Sequence, residues 1–492
     1  MNYRKIIFAT SIAVSLLAVQ SCTKFEDFGN TNNNPNATTS PITSALLTNA
    51  LGNMTGAATP VSIGNTVWGT GLTISGGLYA QYFSETQYTE ASRYTKPVFN
   101  ADAYYAGAMY DLQNIINYNS DPATAEIAAA NGSNANQIAV ARILKAYFFW
   151  ILTDTYGDIP YFEALKGEGN LTYDKQSEIY PDLFKELKEA ADQFDGGATL
   201  KGDILFHGDN TKWKKFANSM RVLMALRLSK INAALGKTEF AAALGHSAGV
   251  IESNSDNANL VAPGGVFNHP LYQYYAITQR DDYAVSAPLY DLLNANGDGR
   301  AAAFGSSTVG FPYGLTRDNA VAFATANPNY ARVLHPSKRL ATSPISLLSA
   351  SSVYLARAEA AQLGWTAENV ASMYSTGIRR SWEEWGVYSD AAFNAYLAKP
   401  AVDLAGGSPL TKIQLQQWIA FYPNGTQAWA NWRRTGVPAL TAAPGAGLPI
   451  IRRIPYGPND YNFNLANVTV AAAQYTVGGE PDSQDAKVWW DQ

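Results

Sequence analysis

The 492-residue sequence holds a single cysteine, Cys22, which excludes any intramolecular disulfide framework. Histidine is nearly as scarce. His207, His246, His269 and His335 are scattered without an i, i+4 pair, and with one Cys they exclude the usual structural zinc sites. Charged residues make up only 15% of the chain, against roughly 25% in ordinary soluble domains. The formal net charge of -5 argues against a nucleic-acid binder, which would carry a basic excess. No segment reaches the ~20 continuous apolar residues of a membrane-spanning helix. What the chain does have is apolar material and rings. It is 47% hydrophobic and 12% aromatic, with 29 Tyr and 11 Trp, which excludes a disordered chain and supplies a large core.

Residues 1–22 read MNYRKIIFATSIAVSLLAVQSC. Arg4 and Lys5 form a positive head, and Ile6 to Val19 an apolar stretch too short to span a bilayer comfortably, as in an export signal. Val19-Gln20-Ser21 before Cys22 resembles a bacterial lipobox, although Gln20 departs from the usual small or apolar residue. On that reading residues 1–21 are removed and Cys22 becomes the lipidated N-terminus, anchored by acyl chains at roughly 0.8 kcal/mol per buried CH₂. The alternative is an ordinary secretory signal followed by a chance cysteine. Processing would remove Arg4 and Lys5, leaving 33 basic against 40 acidic residues, or -7. Glu26-Asp27 just beyond the cysteine resembles signals that send lipoproteins to the outer leaflet. Residues 22–45, rich in Asn, Thr and Pro, are expected to form a flexible tether, and 46–492 a single domain.

The body is expected to be mostly α-helical. Residues 137–155 are apolar nearly all round, as in a buried helix. Ile179, Leu183, Leu187, Ala191 and Phe194 mark an amphipathic stripe over 176–195. Asn210 is placed as the N-cap of a helix bearing Trp213, Phe216, Met220, Leu223 and Arg227. Ser343-Pro344 should open another, which Gly364 closes, and a partner restarts at Thr366. Ser408-Pro409 opens a further helix, and the Thr426 segment ends at Gly436. Short gaps between successive helices imply antiparallel, tetratricopeptide-like pairs, without the regular 34-residue period of a solenoid. Three long inserts, 52–100, 255–285 and 296–340, interrupt this pattern. Loops of such length in a compact protein tend to be functional, and their aromatics argue against disorder.

The search for catalytic chemistry is empty. Gly245-His246-Ser247-Ala248-Gly249 matches a nucleophile elbow, but a helix-forming run precedes it where that elbow needs a strand. Asn294 to Gly299 resembles part of a calcium loop yet lacks the final Glu. Glu383 and Glu384 are adjacent and point about 100° apart on a helix, a poor acid/base pair. No metal site and no cofactor are expected.

Aromatic residues in the inserts are the remaining signal. Exposed rings suit ligands with apolar C–H faces such as sugars, while amides, carboxylates and guanidinium groups bind hydroxyls. The candidate ligand-binding set is Trp68, Tyr82, Arg93, Tyr94, Tyr272, Tyr274, Tyr275, Arg280, Asp282 and Tyr313. Tyr88, Gln87 and Asp281 lie in the same inserts. For any one aromatic, packing is the competing reading.

Several segments also carry a resemblance. Phe28-Gly29 with Asn34-Pro35-Asn36, and Ala146 to Ala164 with Asp154, Tyr156-Gly157-Asp158 and Pro160, resemble the SusD/RagB family of nutrient-binding outer-membrane lipoproteins. Gly202-Asp203 to Arg227, Tyr354 to Ala360 with Glu359, Gln416 to Leu440 with Arg433-Arg434, and Trp489-Trp490 continue it in order. The resemblance implies tetratricopeptide-like helix pairs with a loop-built binding face. It also implies a cell-surface, lipid-anchored, non-catalytic lid that passes oligosaccharides, or in some members peptides, to a SusC-like TonB-dependent transporter. The family's ligand residues vary, so none is carried over. A surface glycan hydrolase is the third alternative.

Overall fold

Helix Asn134–Tyr156 sits at the centre of the protein because it can be buried on every side. From Ala139 to Tyr156 only Arg142 and Lys145 reach solvent appreciably, through an otherwise buried run. This computed structural model describes residues 42–55, 72–95, 97, 101–265 and 267–492. Cys22, Trp68 and residues 1–21 therefore lie outside the described residues.

Thr43–Gln492 forms one compact unit. Its helices of eight or more residues are α1 (Thr43–Thr55), α2 (Leu72–Tyr79), α3 (Tyr110–Ser120), α4 (Asn134–Tyr156) and α5 (Gln176–Gln193). They continue with α6 (Asn210–Arg227), α7 (Ala233–Leu244), α8 (Ala287–Asn296), α9 (Arg317–Ala326) and α10 (Ala350–Gln362). The last are α11 (Val370–Trp385), α12 (Asp390–Leu397), α13 (Pro409–Ala420), α14 (Gly425–Thr435) and α15 (Leu465–Ala473). Helices α4 and α5, α6 and α7, and α10 and α11 are successive packed pairs; the last two pairs are joined by short connections, and α4 and α5 by the longer segment 157–175. Helix α1 begins at Thr43, just inside the segment expected as tether.

Three helix starts differ from expectation. The cap of α6 is Asp209, whose carboxylate accepts from the backbone N–H groups of Thr211 (2.9 Å) and Lys212 (3.1 Å) and faces the positive end of the helix dipole. Asn210 is already helical. Ser343-Pro344 opens no helix. Pro344–Leu348 is a strand with Pro at its first position, and α10 starts only after Ser349, which shares a capping box with Ser352. Helix α11 starts after Asn369, whose side chain accepts from Ser372 N–H, rather than at Thr366. Ser408 caps α13, and Gly436 ends α14 in the left-handed conformation, both as expected.

Four short strands lie among the described residues: β1 (Phe83–Glu85), β2 (Ala258–Val261), β3 (Tyr283–Val285) and β4 (Pro344–Leu348). β1 pairs antiparallel with β3 in the register Phe83↔Val285, Ser84↔Ala284, Glu85↔Tyr283, and β2 pairs antiparallel with β4. The main core gathers Trp150, Trp213, Trp418, Trp429 and Trp490, and a second cluster surrounds Trp382. Helices α2 and α14 cross at glycines. A Cβ on Gly425 would stand 2.1 Å from the backbone nitrogen of Gly77.

Candidate ligand-binding site

The three inserts come together at β3. On one side β3 takes β1 from the first insert. On the other, Ala284 bridges Arg332 and Ser286 bridges Phe311, both from the third. Beneath this junction Ala284, Phe311, Ala320 and Tyr330 form a small core, with Phe311 and Tyr330 rings edge to face at 5.1 Å. Long-range strand pairing over a private core makes the face a fixed platform rather than a set of free loops.

Tyr88 stands out from this platform, 47% exposed. Two guanidinium groups flank its ring, Arg280 at 5.9 Å and Arg317 at 5.6 Å from the centroid. Arg280 is held from behind: its Nε donates to Asp282 Oδ2 at 2.7 Å. The same oxygen accepts the Tyr274 hydroxyl at 2.6 Å, and Gln87 donates to Oδ1. Burial would raise the Asp282 carboxyl, but the hydrogen bonds from Tyr274, Gln87 and Arg280 outweigh it and hold the group below the ordinary carboxylate range. Asp281 accepts from the Tyr330 hydroxyl and from Arg332 Nη2, both at 3.0 Å. Both carboxylates are thus engaged as acceptors by a phenol and a guanidinium.

The structure divides the sequence candidates. Arg280 and Asp282 belong to the Tyr88 cluster, and Tyr274 is its buried support. Tyr272 is half-buried, and its side chain has no hydrogen bond or ring contact among the described residues. Tyr275 faces inward: its hydroxyl donates to the Tyr283 carbonyl (2.7 Å) and accepts from Val333 N–H (3.2 Å), with the Arg339 guanidinium 3.9 Å from its ring.

Tyr82, Tyr94 and Tyr313 are corrected to packing residues. Tyr82 is fully buried, its ring 5.0 Å from Trp418 and 5.3 Å from Tyr422, and its hydroxyl donates to the Trp418 carbonyl. Tyr94 is equally buried and accepts from Ala443 N–H at 3.1 Å. Tyr313 donates to the Leu78 carbonyl at 2.8 Å. A ring enclosed by protein has no face left for a ligand. Arg93 is a brace, its Nη1 donating to the carbonyls of Gly314 (2.7 Å) and Pro444 (2.9 Å) and so tying the first insert to the third.

Arg317 lies in 296–340, a stretch whose weak helix periodicity hides it from the sequence. Thr316 followed by Asp318 and an alanine-rich run is a legible helix start, and that start places Arg317 beside Tyr88. The other motifs are structural. Helix α7 precedes Gly245, and His246 Nε2 lies 3.1 Å from Asp192. Asp298 is a buried partner of Arg300 at 2.6 Å in an ordinary helix-ending turn at Gly297. Glu383 pairs with Arg379 and Arg380, while Glu384 accepts from Asn257.

An exposed ring edged by guanidinium and amide groups can hold a ligand with apolar faces and hydrogen-bonding edges. A family model described as starch-binding, associating with the outer membrane, matches residues 35–457. A solved structure named a chitin-binding protein is 30% identical, with a TM-score of 0.74, covering 91% of this chain and 99% of its own. A SusD homologue from Bacteroides uniformis is 26% identical, with a TM-score of 0.76 over 91% of this chain and 99% of its own. A chitin-binding SusD homologue from Flavobacterium johnsoniae shares the fold at 22% identity and a TM-score of 0.76, covering 92% of this chain and 98% of its own. No curated protein matches the chain.

Proposed function

The chain belongs to the SusD-like family of starch-binding proteins that associate with the outer membrane, and from that premise we propose that it is a non-catalytic, surface-exposed lipoprotein that captures oligosaccharides on the Tyr88 face. Cys22 carries the lipid anchor, and the captured ligand passes to a SusC-like TonB-dependent transporter. No helix among the described residues is long and apolar enough to cross a membrane, in keeping with attachment through lipid. The observation that carries the binding proposal is the exposed Tyr88 ring between Arg280 and Arg317, on a platform where all three inserts meet.

Chitin-type oligosaccharides are the first ligands to try, because the 30%-identical structure is named chitin-binding. The acetamido-sugar ring offers a C–H face to Tyr88, and its carbonyl and hydroxyls match guanidinium donors. A glycan array on the purified protein tests the class. Retention of chitin or starch oligosaccharides supports it, and an array without a sugar hit rejects it.

Peptide capture is the competing reading. The two arginines beside Tyr88 favour it, since a guanidinium fork also matches a peptide carboxylate. Peptide binding that persists against a full glycan panel would establish it. Release of sugar reducing ends by the purified protein would instead establish a hydrolase. The engagement of Asp282 by Tyr274, Arg280 and Gln87, and of Asp281 Oδ2 by Tyr330 and Arg332, speaks against that outcome.

A further inference from the structure

A second concavity shares no lining residue with the Tyr88 face. It lies where the start of α3, the end of α4 and the segment 456–464 meet, and it encloses about 520 Å³. That volume is within the range of small-molecule sites. Tyr105, Tyr110, Tyr173 and Phe463 supply its aromatic walls. Tyr105 is fixed by donation to the Pro160 carbonyl at 2.8 Å, and Tyr173 by its ring packing on Tyr456 at 5.0 Å and by donation to Asp460.

Three carboxylates, Asp102, Glu168 and Asp460, line the same cavity, and no Lys, Arg or His does. Asp102 Oδ2 accepts from Asn459 at 2.7 Å, and Asp460 Oδ2 from Gly457 N–H at 2.8 Å. Burial, reinforced by the charges of Asp102 and Asp482, raises the Asp460 carboxyl against the hydrogen bonds from Tyr173 and Gly457. At the inner wall Tyr156 is 2% exposed, and its hydroxyl has no hydrogen-bond partner among the described residues. Buried hydroxyls are normally paired, so an orphan on a cavity wall marks a position for a ligand atom.

Aromatic faces attract cations, carboxylates demand them, and no side-chain cation lines the cavity. We propose that this cavity is a separate binding site for a protonated amine carried on a compact body with apolar faces, an amino sugar being the fitting class. The ammonium group would lie against Asp102 and Asp460, the body between Tyr105 and Tyr173, and a hydroxyl against Tyr156. The site stands independently of the Tyr88 face.

Calorimetric titration of the Tyr88→Ala protein, in which the sugar face is disabled, with glucosamine, N-acetylglucosamine and cadaverine tests it. Glucosamine should bind, and N-acetylglucosamine, which lacks the charge, should bind weaker by about tenfold or more. Cadaverine binding as well as glucosamine would support the site with the amine as its whole determinant. Cadaverine failing where glucosamine binds would support it with the sugar body required. Asp102→Asn keeps the acceptor for Asn459 and, added to Tyr88→Ala, should weaken glucosamine about tenfold. Should Asp102→Asn fail to fold, Tyr156→Phe replaces it and should weaken glucosamine severalfold. No amine binding, equal binding of both sugars, or indifference to these variants overturns the proposal, while the Tyr88 face would stand untouched.

Discussion

The indole N–H of Trp490 donates to Asp154 Oδ1 at 2.7 Å, joining residues 336 positions apart. Tyr180 donates to the same oxygen at 2.5 Å, Arg227 Nε lies 3.4 Å from the other, and Arg433 donates to the Asp154 main-chain carbonyl at 2.7 Å. Arg434, next in sequence, forks onto Glu359 with two contacts of 2.7 Å. Asp154, Arg227, Glu359, Arg433, Arg434 and Trp490, dispersed residues that carry the SusD/RagB resemblance, therefore meet in two adjoining buried polar clusters. They specify how the helices lock together and say nothing of the ligand.

Arg434→Met should leave the Glu359 carboxylate buried without its partner and cost about 3–5 kcal/mol. Denaturant unfolding measures this. Adding Glu359→Gln should recover much of the loss, because the uncompensated charge is gone. A loss below about 1 kcal/mol for the single variant would show that the pair is not structural.

Trp490→Phe removes one donor from Asp154 and should cost about 1–3 kcal/mol, with ligand affinity unchanged. Thermal unfolding and a binding titration on the same sample separate the two effects. A fall in affinity at unchanged stability would contradict a purely structural role.

Glu85 on β1 is pushed up to about 7 by burial, despite accepting from Ser92 N–H and Oγ at 2.8 Å each. Its folded pKa lies above the unfolded value, so its contribution to stability is full below about pH 4.5 and is lost as pH rises through about 7. Glu85→Gln keeps an acceptor for Ser92 without the charge. Relative to wild type it should gain about 2 kcal/mol between pH 5 and pH 8 in unfolding titrations. A pH-independent difference would contradict this assignment.

Tyr274→Phe deletes the hydroxyl that donates to Asp282 and leaves the ring in place. The buried carboxylate then orients Arg280 less firmly. Stability should fall by about 1 kcal/mol and affinity severalfold. Unchanged affinity would show that Arg280 orientation does not depend on this support.

The helical scaffold was legible because burial leaves periodic marks. The all-apolar run of α4, the Ser408-Pro409 start and the Gly436 stop each have a local chemical cause. The helix starts at Asp209, Ser349 and Asn369 were missed where a second capable cap stood nearby, or where a proline served a strand instead. The binding face was less legible. Tyr82 and Tyr88 are the same residue type six positions apart, and the pairing of Tyr82 with Trp418 and Tyr422, far along the chain, buries one while the other stays exposed. That pairing joins distant segments and leaves no local signature. In an aromatic-rich chain most insert tyrosines serve as packing, and Tyr94 and Tyr313 did. The convergence of the inserts was expected in outline, but Arg317 became visible only with the fold.

On the proposed function, the exposed Tyr88 ring and its flanking arginines hold the ligand. Affinity for chitin oligosaccharides, measured by calorimetry on wild type and on the Tyr88→Ala/Arg317→Ala double variant, tests it most directly. The affinity should fall about tenfold or more with the unfolding temperature unchanged, since both altered side chains are at the surface. Equal affinity in the two proteins would contradict it.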